Sequence, residues 1–412
     1  MKQEKKICFL LNWTREVDMF KNITDNLDKK DIIFIINDLN KKLLNHKFER
    51  DKILIILQKE KHEFDFLSNI LHKKKFKTLI STADLPISKL TFKSFLKFLY
   101  GKTFGAFIQF LGLTVYLKKK FKRDLSYEGK NASYYEDIFV EKKISQISIK
   151  YPNGLDRNIK YFPNKKWDDV FDIFFTVSNY EKKLVDNRLP KKNTFNVGYS
   201  RFDENSSKFK ESLGKEFKIN FQKKTIFCCP NERIMFDQKV HDIREYLSFL
   251  KILSKEYNLI IRPHPKLQFT KPEYFNLIKQ SDLKLDLKLN REIRDIFLIS
   301  DLILVDYGSS VLEALYLKKK FLIYEWSNEE KFKVLFDKEN CLDYLVRDKI
   351  RGNIIKAKYN NNKNLNFIDK ILKDDEFQKK VNHINGLFFG EKKEIKNSLK
   401  IIKNIHYEDY VT

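Results

Sequence analysis

Two short apolar segments in the second half of the chain stop abruptly at polar residues, and this pattern limits the fold more than any other feature. Residues 259–261 run into Arg262-Pro-His264-Pro, and residues 302–305 run into Asp306-Tyr-Gly-Ser309-Ser310. Short, unbroken apolar runs of this kind predict buried strands of a parallel sheet. In open α/β sheets, ligands bind at the carboxyl ends of the strands. We therefore expect both polar segments to lie at a ligand-binding edge.

The residue types at these two strand ends indicate the chemistry of the ligand. Arg262 and His264 supply a fixed cation and a titratable ring. Ser309 and Ser310 begin a helical pattern, so hydroxyls and unpaired backbone N–H groups meet at a helix start. Such a helix start binds phosphate, and together the two strand ends predict a nucleotide-diphosphate site. A rigid proline turn and an ordinary serine helix cap are the alternatives without a ligand.

Apolar runs separated by amphipathic stretches predict two series of βα units, which is the pattern of doubly wound α/β domains. The predicted strands are residues 6–11, 31–36, 52–57, 77–81, 144–150 and 172–177 in the first series, and 224–229, 259–261, 283–287, 302–305 and 321–324 in the second. The polar stretch 204–215 is predicted to be the linker. The predicted domains are 1–205 and 218–385, followed by a helical segment, 386–412, that could pack back on the first domain.

The chain is strongly basic, with a formal net charge of +25 from 81 Lys and Arg against 56 Asp and Glu among 412 residues. This excess of basic residues either reflects a lysine-rich composition spread over solvated faces or forms a surface that binds an anionic partner. Anionic candidates are a nucleotide, a phosphate-rich acceptor and a negative membrane leaflet. Nucleic acid is not expected, because no basic cluster is interleaved with aromatic residues in a nucleic-acid motif. The four cysteines show no metal-ligand spacing, so we expect free thiols in a reducing cytoplasm and no metal.

Residues 89–123 depart from an ordinary α/β domain. Lys89, Lys93 and Lys97 recur at helical spacing beside aromatic and aliphatic residues, and an uncharged run of 14 residues, 104–117, ends at a Lys/Arg cluster. The run is shorter than the ~20 residues that span a bilayer. An apolar face with basic flanks suits a helix in the headgroup region of an anionic leaflet, at the inner face of the cell membrane. A buried helix pair with exposed lysines is the alternative.

Two further motifs precede these strand ends in the chain. They are Gly198-Tyr-Ser-Arg201-Phe-Asp203 and Cys228-Cys-Pro-Asn-Glu-Arg233. Together with the two strand ends, these motifs resemble the CDP-glycerol glycerophosphotransferase family, which includes teichoic-acid-type polymerases and primases, and related capsule glycosyltransferases. The resemblance spans roughly residues 150–325. It implies the GT-B fold, in which two Rossmann-like domains face a central cleft.

The resemblance also implies a reaction and a set of roles. The reaction is transfer of a polyol-phosphate or sugar unit from a nucleotide-diphosphate donor, CDP-glycerol as the first choice, to a cell-surface polymer or its lipid-linked precursor. A nucleotide-sugar donor that feeds a capsule or lipopolysaccharide is the runner-up, and no cofactor is expected. The residues that would bind the donor phosphates and nucleotide are Arg233, Arg262, Gly308, Ser309, Ser310 and Glu313, with His264 as a catalytic residue.

The catalytic base is the point at which the chain departs from the family. The family's pattern has a His-Gly pair at a strand end of the first domain, and Asn153-Gly154 stands here. Asparagine does not accept a proton near neutral pH, although it can orient a hydroxyl. Three interpretations stay open: Asp156 or another carboxylate is the base, the reaction needs little base catalysis, or the active site of this chain is impaired. The rival from another class is a non-catalytic basic protein that binds polyanions or membrane.

Overall fold

The structure is a computed structural model of the chain. It describes residues 2–39, 46–71, 73–82, 87–90, 135–138, 140–152, 154–155, 170–199, 202, 207–230, 240–264, 267–288, 291, 293–306, 308–326, 354–356, 361–390 and 395–407. The chain divides into two compact units. Unit 1 comprises Met1–Tyr151, Lys166–Ile173 and Ile401–Thr412, and unit 2 comprises Pro152–Lys165 and Phe174–Lys400.

Unit 1 is built on a parallel β-sheet. Its described strands are β1 (Lys2–Leu11), β2 (Ile32–Ile36), β3 (Phe64–Phe66), β4 (Lys74–Ser81), β5 (Ile87–Leu90), β6 (Tyr135–Ile138) and β7 (Ser145–Lys150). Its described helices are α1 (Thr14–Thr24), α2 (His46–Lys59), α3 (Leu67–Ile70) and α4 (Val140–Ile144), with a 3-10 turn at Lys29–Asp31. Parallel pairing gives the order β3-β2-β1-β4-β7, while β5 and β6 form a separate antiparallel pair.

The central strands of unit 1 are buried on both faces, which explains their unbroken apolar sequences. Phe9 of β1 contacts Phe34 of β2 and Phe20 of α1, with ring centroids 5.5 and 5.1 Å away. The alternate residues of the same strands, such as Leu10, belong to a buried cluster with Val140 of α4. Side chains alternate between the two faces of a strand, and all five residues of β2 are buried. Both faces of β2 are therefore covered, and all five positions are apolar.

The prediction of a strand at residues 52–57 is wrong, because this segment lies inside helix α2. Ile53 and Leu57 are buried and four residues apart, whereas Ile55 between them is 65% exposed. This is the spacing of one helical face. A short apolar run such as Ile-Leu-Ile-Ile-Leu fits a strand equally well by composition, so periodicity alone does not separate the two structures.

Unit 2 contains a second parallel sheet. After β8 (Ile173–Thr176) and β9 (Asn193–Asn196), which are not part of this second sheet, its strands are β10 (Thr225–Cys228), β11 (Asn258–Ile261), β12 (Leu302–Val305), β13 (Lys320–Glu325) and β14 (Ile354–Lys356). The described helices are α5 (Asn179–Arg188), α6 (Ser207–Glu216), α7 (Val240–Glu256), α8 (Leu267–Thr270), α9 (Pro272–Lys279), α10 (Ile293–Ile299), α11 (Ser309–Tyr316), α12 (Asn361–Lys373), α13 (Asp375–Phe388) and α14 (Ile395–Tyr407). The sheet order is β11-β10-β12-β13-β14, and every pair is parallel.

The two parallel sheets confirm the predicted α/β fold class. Two segments of unit 2 differ from the prediction. The stretch 204–215 is not a linker from residue 207 onward, because α6 begins there and buries Leu213. Its Lys, Glu and Ser content reflects the exposed face of an amphipathic helix. The predicted strand 283–287 is reduced to one parallel bridge between Leu285 and Ile261.

The described part of the chain contains no helix that is both long enough and apolar enough to cross a membrane. The segment 89–123 lies outside the described residues, apart from its first two positions, which end β5. The prediction that this segment contacts a membrane therefore stays a prediction.

The last turns of α14 belong to unit 1, where His406 is buried. Its Nε2 donates to the Lys5 carbonyl oxygen at 2.7 Å, and its Nδ1 accepts from the Thr78 hydroxyl at 3.1 Å. The neighbouring Tyr407 hydroxyl donates to Asp31 at 2.7 Å. Burial lowers the pKa of His406, with a further lowering from Lys77, whereas the hydrogen bond to Lys5 and the Asp31 carboxylate act in the opposite direction. These contacts hold α14 on β1 and β4.

We expect His406 to make the folded chain less stable as the pH falls below the ordinary histidine value of 6.5. The unfolded chain binds a proton at this residue before the folded chain does, so the free energy of unfolding decreases with falling pH. Urea unfolding at about pH 7.5 and about pH 5.5 should therefore show a smaller loss for His406→Gln than for the wild type. The exposed His241→Gln is the control, and an equal loss in wild type and His406→Gln would contradict the expectation.

Candidate functional site

Four strands of the unit 2 sheet end side by side, and the described residues that follow them form what we call the carboxyl edge: 229–230 after β10, 262–264 after β11, 306 and 308–310 after β12, and 326 after β13. Parallel pairing brings these ends together even though about 100 residues of chain separate the first from the last. The sequence prediction that the two polar strand ends share one edge agrees with this arrangement.

Gly308 makes the turn from β12 into α11. Its φ of 83° and ψ of −153° fall in a region that is open essentially only to glycine. The turn lets helix α11 begin at Ser309, immediately after the sheet edge, so that the backbone N–H groups of its first turn lie at that edge. The positive end of the helix dipole lies at the same place. This geometry suits an anionic group such as phosphate.

The two serines that begin α11 have different surroundings. Ser310 hydrogen-bonds with the thiol of Cys229, which is buried and lies next to β12 because its N–H donates to the Leu304 carbonyl oxygen at 3.2 Å. Ser309 is exposed, and no hydrogen bond of its hydroxyl is found within the described residues. Ser309 therefore presents its hydroxyl to solvent at the helix start, while Ser310 anchors the helix to β10.

A buried polar cluster lies beneath this helix start. The Asp306 carboxylate is 1% exposed and accepts a hydrogen bond from the indole N–H of Trp326 at 3.2 Å. Glu313, one turn into α11, is also buried. Burial raises the pKa of Cys229 well above its usual value, and the Asp306 and Glu313 carboxylates raise it further. Cys229 is therefore a neutral thiol and acts as a packing and hydrogen-bonding group.

Arg262 points toward the outer edge of the sheet. Its Nη1 donates to Asp286 at 3.1 Å, and its Nη2 donates to the carbonyl oxygen of Arg291 at 2.8 Å. The second oxygen of Asp286 is 3.5 Å from Nε of Arg291, and the Asp286 side chain is 1% exposed. The Arg291 guanidinium also pairs with Glu216 and lies over the Phe217 ring. In this structure, Arg262 thus closes a charge network that joins Asp286 and Arg291.

His264 follows two residues later and is partly exposed at the carboxyl edge. Its carbonyl oxygen accepts the N–H of Leu267 at 2.9 Å, so the backbone turns at once into helix α8. Of the other predicted site residues, Asn153, Asp156 and Arg233 lie outside the described residues. The structure therefore brings Gly308, Ser309, Ser310, Glu313, Arg262 and His264 to one sheet edge.

The Gly198-Tyr motif contacts the same helix from its other end. The N–H of Tyr199 donates to the Tyr316 hydroxyl at 3.0 Å, and the two rings pack edge to face with centroids 6.0 Å apart. Gly198 takes a positive φ of 74°, which glycine adopts without steric cost. Tyr316 is the last residue of α11, so this motif and the Gly308 turn are held at opposite ends of one helix.

A buried carboxylate in unit 1 was not found by sequence reasoning. One Glu16 oxygen accepts the N–H groups of Asn12 and of Trp13, the latter at 2.9 Å, and the other oxygen accepts from the Thr82 hydroxyl. Burial raises the pKa of Glu16 despite these hydrogen bonds. The side chain caps α1 at the end of β1, and its position three residues after Trp13 is the signal that could have identified it.

Among the described residues, no group of three His, Cys, Asp or Glu side chains is arranged to hold a metal ion.

Comparisons with known proteins agree with the motifs at the carboxyl edge. The model of the family described as CDP-Glycerol:Poly(glycerophosphate) glycerophosphotransferase matches residues 154–407. This match covers more than half of the chain, and the chain belongs to that family.

A curated relative gives a more limited match. The teichoic acid poly(glycerol phosphate) polymerase of Bacillus spizizenii (strain ATCC 23059 / NRRL B-14472 / W23) is 29% identical over 171 residues. The matched segment covers 39% of this chain and 41% of the length of that polymerase. The aligned part is thus less than half of either protein.

Two solved structures show the likeness of the fold. A structure of the wall teichoic acid polymerase TagF superposes with a TM-score of 0.60 at 14% identity, covering 98% of this chain and 89% of that one. UDP-GlcNAc 2-epimerase from Neisseria meningitidis, bound to UDP-GlcNAc, gives a TM-score of 0.52 at 13% identity and covers 98% of this chain and all of its own. At these identities the likeness concerns the fold alone.

We expect Gly308→Ala to lower the free energy of unfolding by about 1–3 kcal/mol, because a Cβ strains the turn into α11. Gly386→Ala is the matched control: Gly386 lies in helix α13, nothing lies within 4 Å of an added Cβ, and the change should stabilise by about 0.5–1 kcal/mol. Chemical denaturation of the three proteins measures both effects. Equal unfolding free energies for wild type and Gly308→Ala would show that the turn does not need glycine.

We expect Arg262→Ala to destabilise the chain by roughly 3 kcal/mol, because the buried Asp286 carboxylate loses its shorter arginine contact. The double variant with Asp286→Ala should lose less than the sum of the two single changes, since both remove one interaction. Denaturant unfolding gives these values, and the exposed Arg244→Ala is the control. Unchanged stability of Arg262→Ala together with lost nucleotide binding would instead assign the guanidinium to a ligand.

Proposed function

We propose that this chain transfers glycerol phosphate from CDP-glycerol to a hydroxyl group of a cell-surface polymer or of its lipid-linked precursor, as in teichoic acid synthesis. The observation that carries the proposal is the family match over residues 154–407, which contains the whole carboxyl edge of unit 2. The polymer in the name of the curated relative, poly(glycerol phosphate), supports the same chemistry. The exposed Ser309 at the start of α11 supplies a phosphate-binding geometry at that edge.

In the proposed reaction, the acceptor oxygen attacks the β-phosphorus of CDP-glycerol and forms a new P–O bond. The bond from this phosphorus to the bridging oxygen breaks, and CMP leaves with the electron pair. Negative charge therefore builds up on CMP, and groups that stabilise this charge accelerate the step. We assign the N–H groups at the start of α11 and the Ser309 hydroxyl to the donor phosphates, and His264 and Arg233 to the charge on the leaving CMP. Glu313 is the proposed ribose ligand.

The proton of the acceptor hydroxyl needs a destination. We propose that Asp156 or another carboxylate accepts it, with Asn153 orienting the hydroxyl. Because CMP is a stabilised leaving group, a weak base is sufficient for such a transfer, and the loss of the family's histidine does not by itself exclude activity. Substitution of Asn153 by histidine distinguishes a chain that works without the histidine from one that is impaired.

The acceptor and the place of action belong to the same proposal. A growing polyol-phosphate polymer is strongly anionic, and the net charge of +25 favours its approach. Peripheral attachment of residues 89–123 to the inner face of the cell membrane would bring the chain close to a lipid-linked acceptor. A nucleotide sugar remains the alternative donor, and generic polyanion binding remains the alternative without catalysis.

The test is CMP release from CDP-glycerol, measured beside parallel reactions with UDP- and GDP-sugars. We expect release from CDP-glycerol only, and a KM that rises about tenfold or more in Ser309→Ala, since a hydrogen bond to a charged phosphate is lost. Ser254→Ala, on the exposed side of α7, is the matched control. His264→Ala should lower kcat with the fold retained.

Two results would contradict the proposal. Release of nucleotide from a sugar donor and not from CDP-glycerol would move the chain to the nucleotide-sugar enzymes. Binding of every polyanion, weakened by salt and unchanged in His264→Ala, would indicate the non-catalytic basic protein.

A further inference from the structure

A pocket of about 250 Å³ opens at the carboxyl end of β11, within unit 2. Its walls come from Arg262 and Pro263, from helices α8 and α9, and from residues 286–288. Leu285 bridges Ile261 in parallel, so residues 286–288 lie at the same end of the sheet as Arg262. Because β10 occupies the other side of β11, the pocket is the outer continuation of the carboxyl edge.

The pocket combines an apolar surface with positive charge. Phe275 and Leu287 supply the apolar part, and Leu287 is 41% exposed although it is a large aliphatic residue. Lys279 and Lys288 supply two ammonium groups, and Gln268 supplies a carboxamide that can donate and accept. This lining suits a ligand that has a flat ring, hydrogen-bonding groups on the edge of the ring and negative charge nearby.

The acidic member of the pocket lining does not oppose such a ligand. The Asp286 carboxylate is held by Arg262 at 3.1 Å and lies 3.5 Å from Arg291, so its charge is matched by two guanidinium groups. Lys288 pairs with Glu216 at 2.7 Å, and Arg291 pairs with the same carboxylate. Four basic groups, those of Arg262, Arg291, Lys279 and Lys288, therefore stand against two carboxylates, and the pocket keeps a net positive character. Electrostatics thus favours an anionic ligand over a neutral one.

The position of the pocket relative to α11 fits a nucleotide. Only β10 lies between β11 and β12, so two interstrand spacings, about 10 Å, separate the strand that borders the pocket from the strand that leads to Ser309. An extended nucleoside diphosphate has a comparable length. A diphosphate at the start of α11 can therefore extend along the carboxyl edge and place its nucleoside at the pocket.

We propose that this pocket binds the nucleoside part of the donor, with the base against Phe275 and Leu287 and the Gln268 carboxamide at the edge of the base. The proposal rests on the proposed function, because it takes the phosphates to lie at the start of α11. It adds a second subsite, made by residues that the motifs do not contain. Lys279 and Lys288 act there as charged groups at the rim.

Calorimetric titration of the full chain with CDP and with inorganic pyrophosphate tests the proposal. We expect Phe275→Ala to weaken CDP binding about tenfold or more, because stacking on the ring is lost, and to leave pyrophosphate binding unchanged. Leu287→Glu should give the same pattern, and its partial exposure means that the fold is retained. Ser309→Ala should weaken the binding of both ligands. Phe221→Ala, a phenylalanine 65% exposed elsewhere in unit 2, is the matched control.

The outcomes separate the two proposals. If Ser309→Ala weakens CDP binding while Phe275→Ala and Leu287→Glu bind CDP as the wild type does, the nucleoside lies elsewhere, and the pocket assignment is overturned while the proposed function stands. If the wild type binds neither CDP nor CDP-glycerol, the proposed function is overturned and the pocket assignment with it. Equal weakening of CDP and pyrophosphate by Leu287→Glu would also overturn the assignment.

Discussion

The backbone conformation of Gly308 determines how helix α11 meets the sheet, and the rest of the carboxyl edge depends on it. The φ of 83° at Gly308 directs the chain into α11, so the start of this helix lies close to the end of β12. The polar groups below then become buried and need partners, which Trp326 provides for Asp306 and Cys229 provides for Ser310. The turn at Gly308 thus leaves the Ser309 side chain exposed and brings Ser310 against the buried Cys229.

The outer part of the edge is fixed in a different way, by charge. Asp286 is almost fully buried, so it needs Arg262 and Arg291, and Arg262 at the end of β11 contacts both the Asp286 carboxylate and the Arg291 carbonyl oxygen. The helix start and this charge network lie on one edge, separated by β10. A polar ligand of nucleotide length can use both, with its phosphates at a helix start and its ring in a pocket. Arg262 supports this part of the edge through its contacts with Asp286 and Arg291.

The sequence predicted the sheet of unit 2 well because its strands are short, unbroken and apolar, and burial on both faces leaves few other structures for such runs. The same reasoning assigned residues 52–57 to a strand, although they lie in helix α2. A short apolar run of this kind occurs both in strands and in helices with one exposed face. The Arg262–Asp286 pair could not be predicted, because it joins residues 24 apart through tertiary packing. The difference between Ser309 and Ser310 depends on Cys229, which follows a different strand, β10. The local sequence pattern therefore predicted the position of the carboxyl edge. The contacts of each side chain there depend on residues distant in the sequence, which the local pattern does not show.

The most direct test of the central claim is a crystal structure of the chain with CDP bound. We predict that the diphosphate contacts the Ser309 hydroxyl and the backbone N–H groups of the first turn of α11, and that the cytosine lies against Phe275 in the pocket beside β11. A diphosphate bound away from α11, with the start of that helix empty, would contradict the assignment of the carboxyl edge of unit 2 as the donor site.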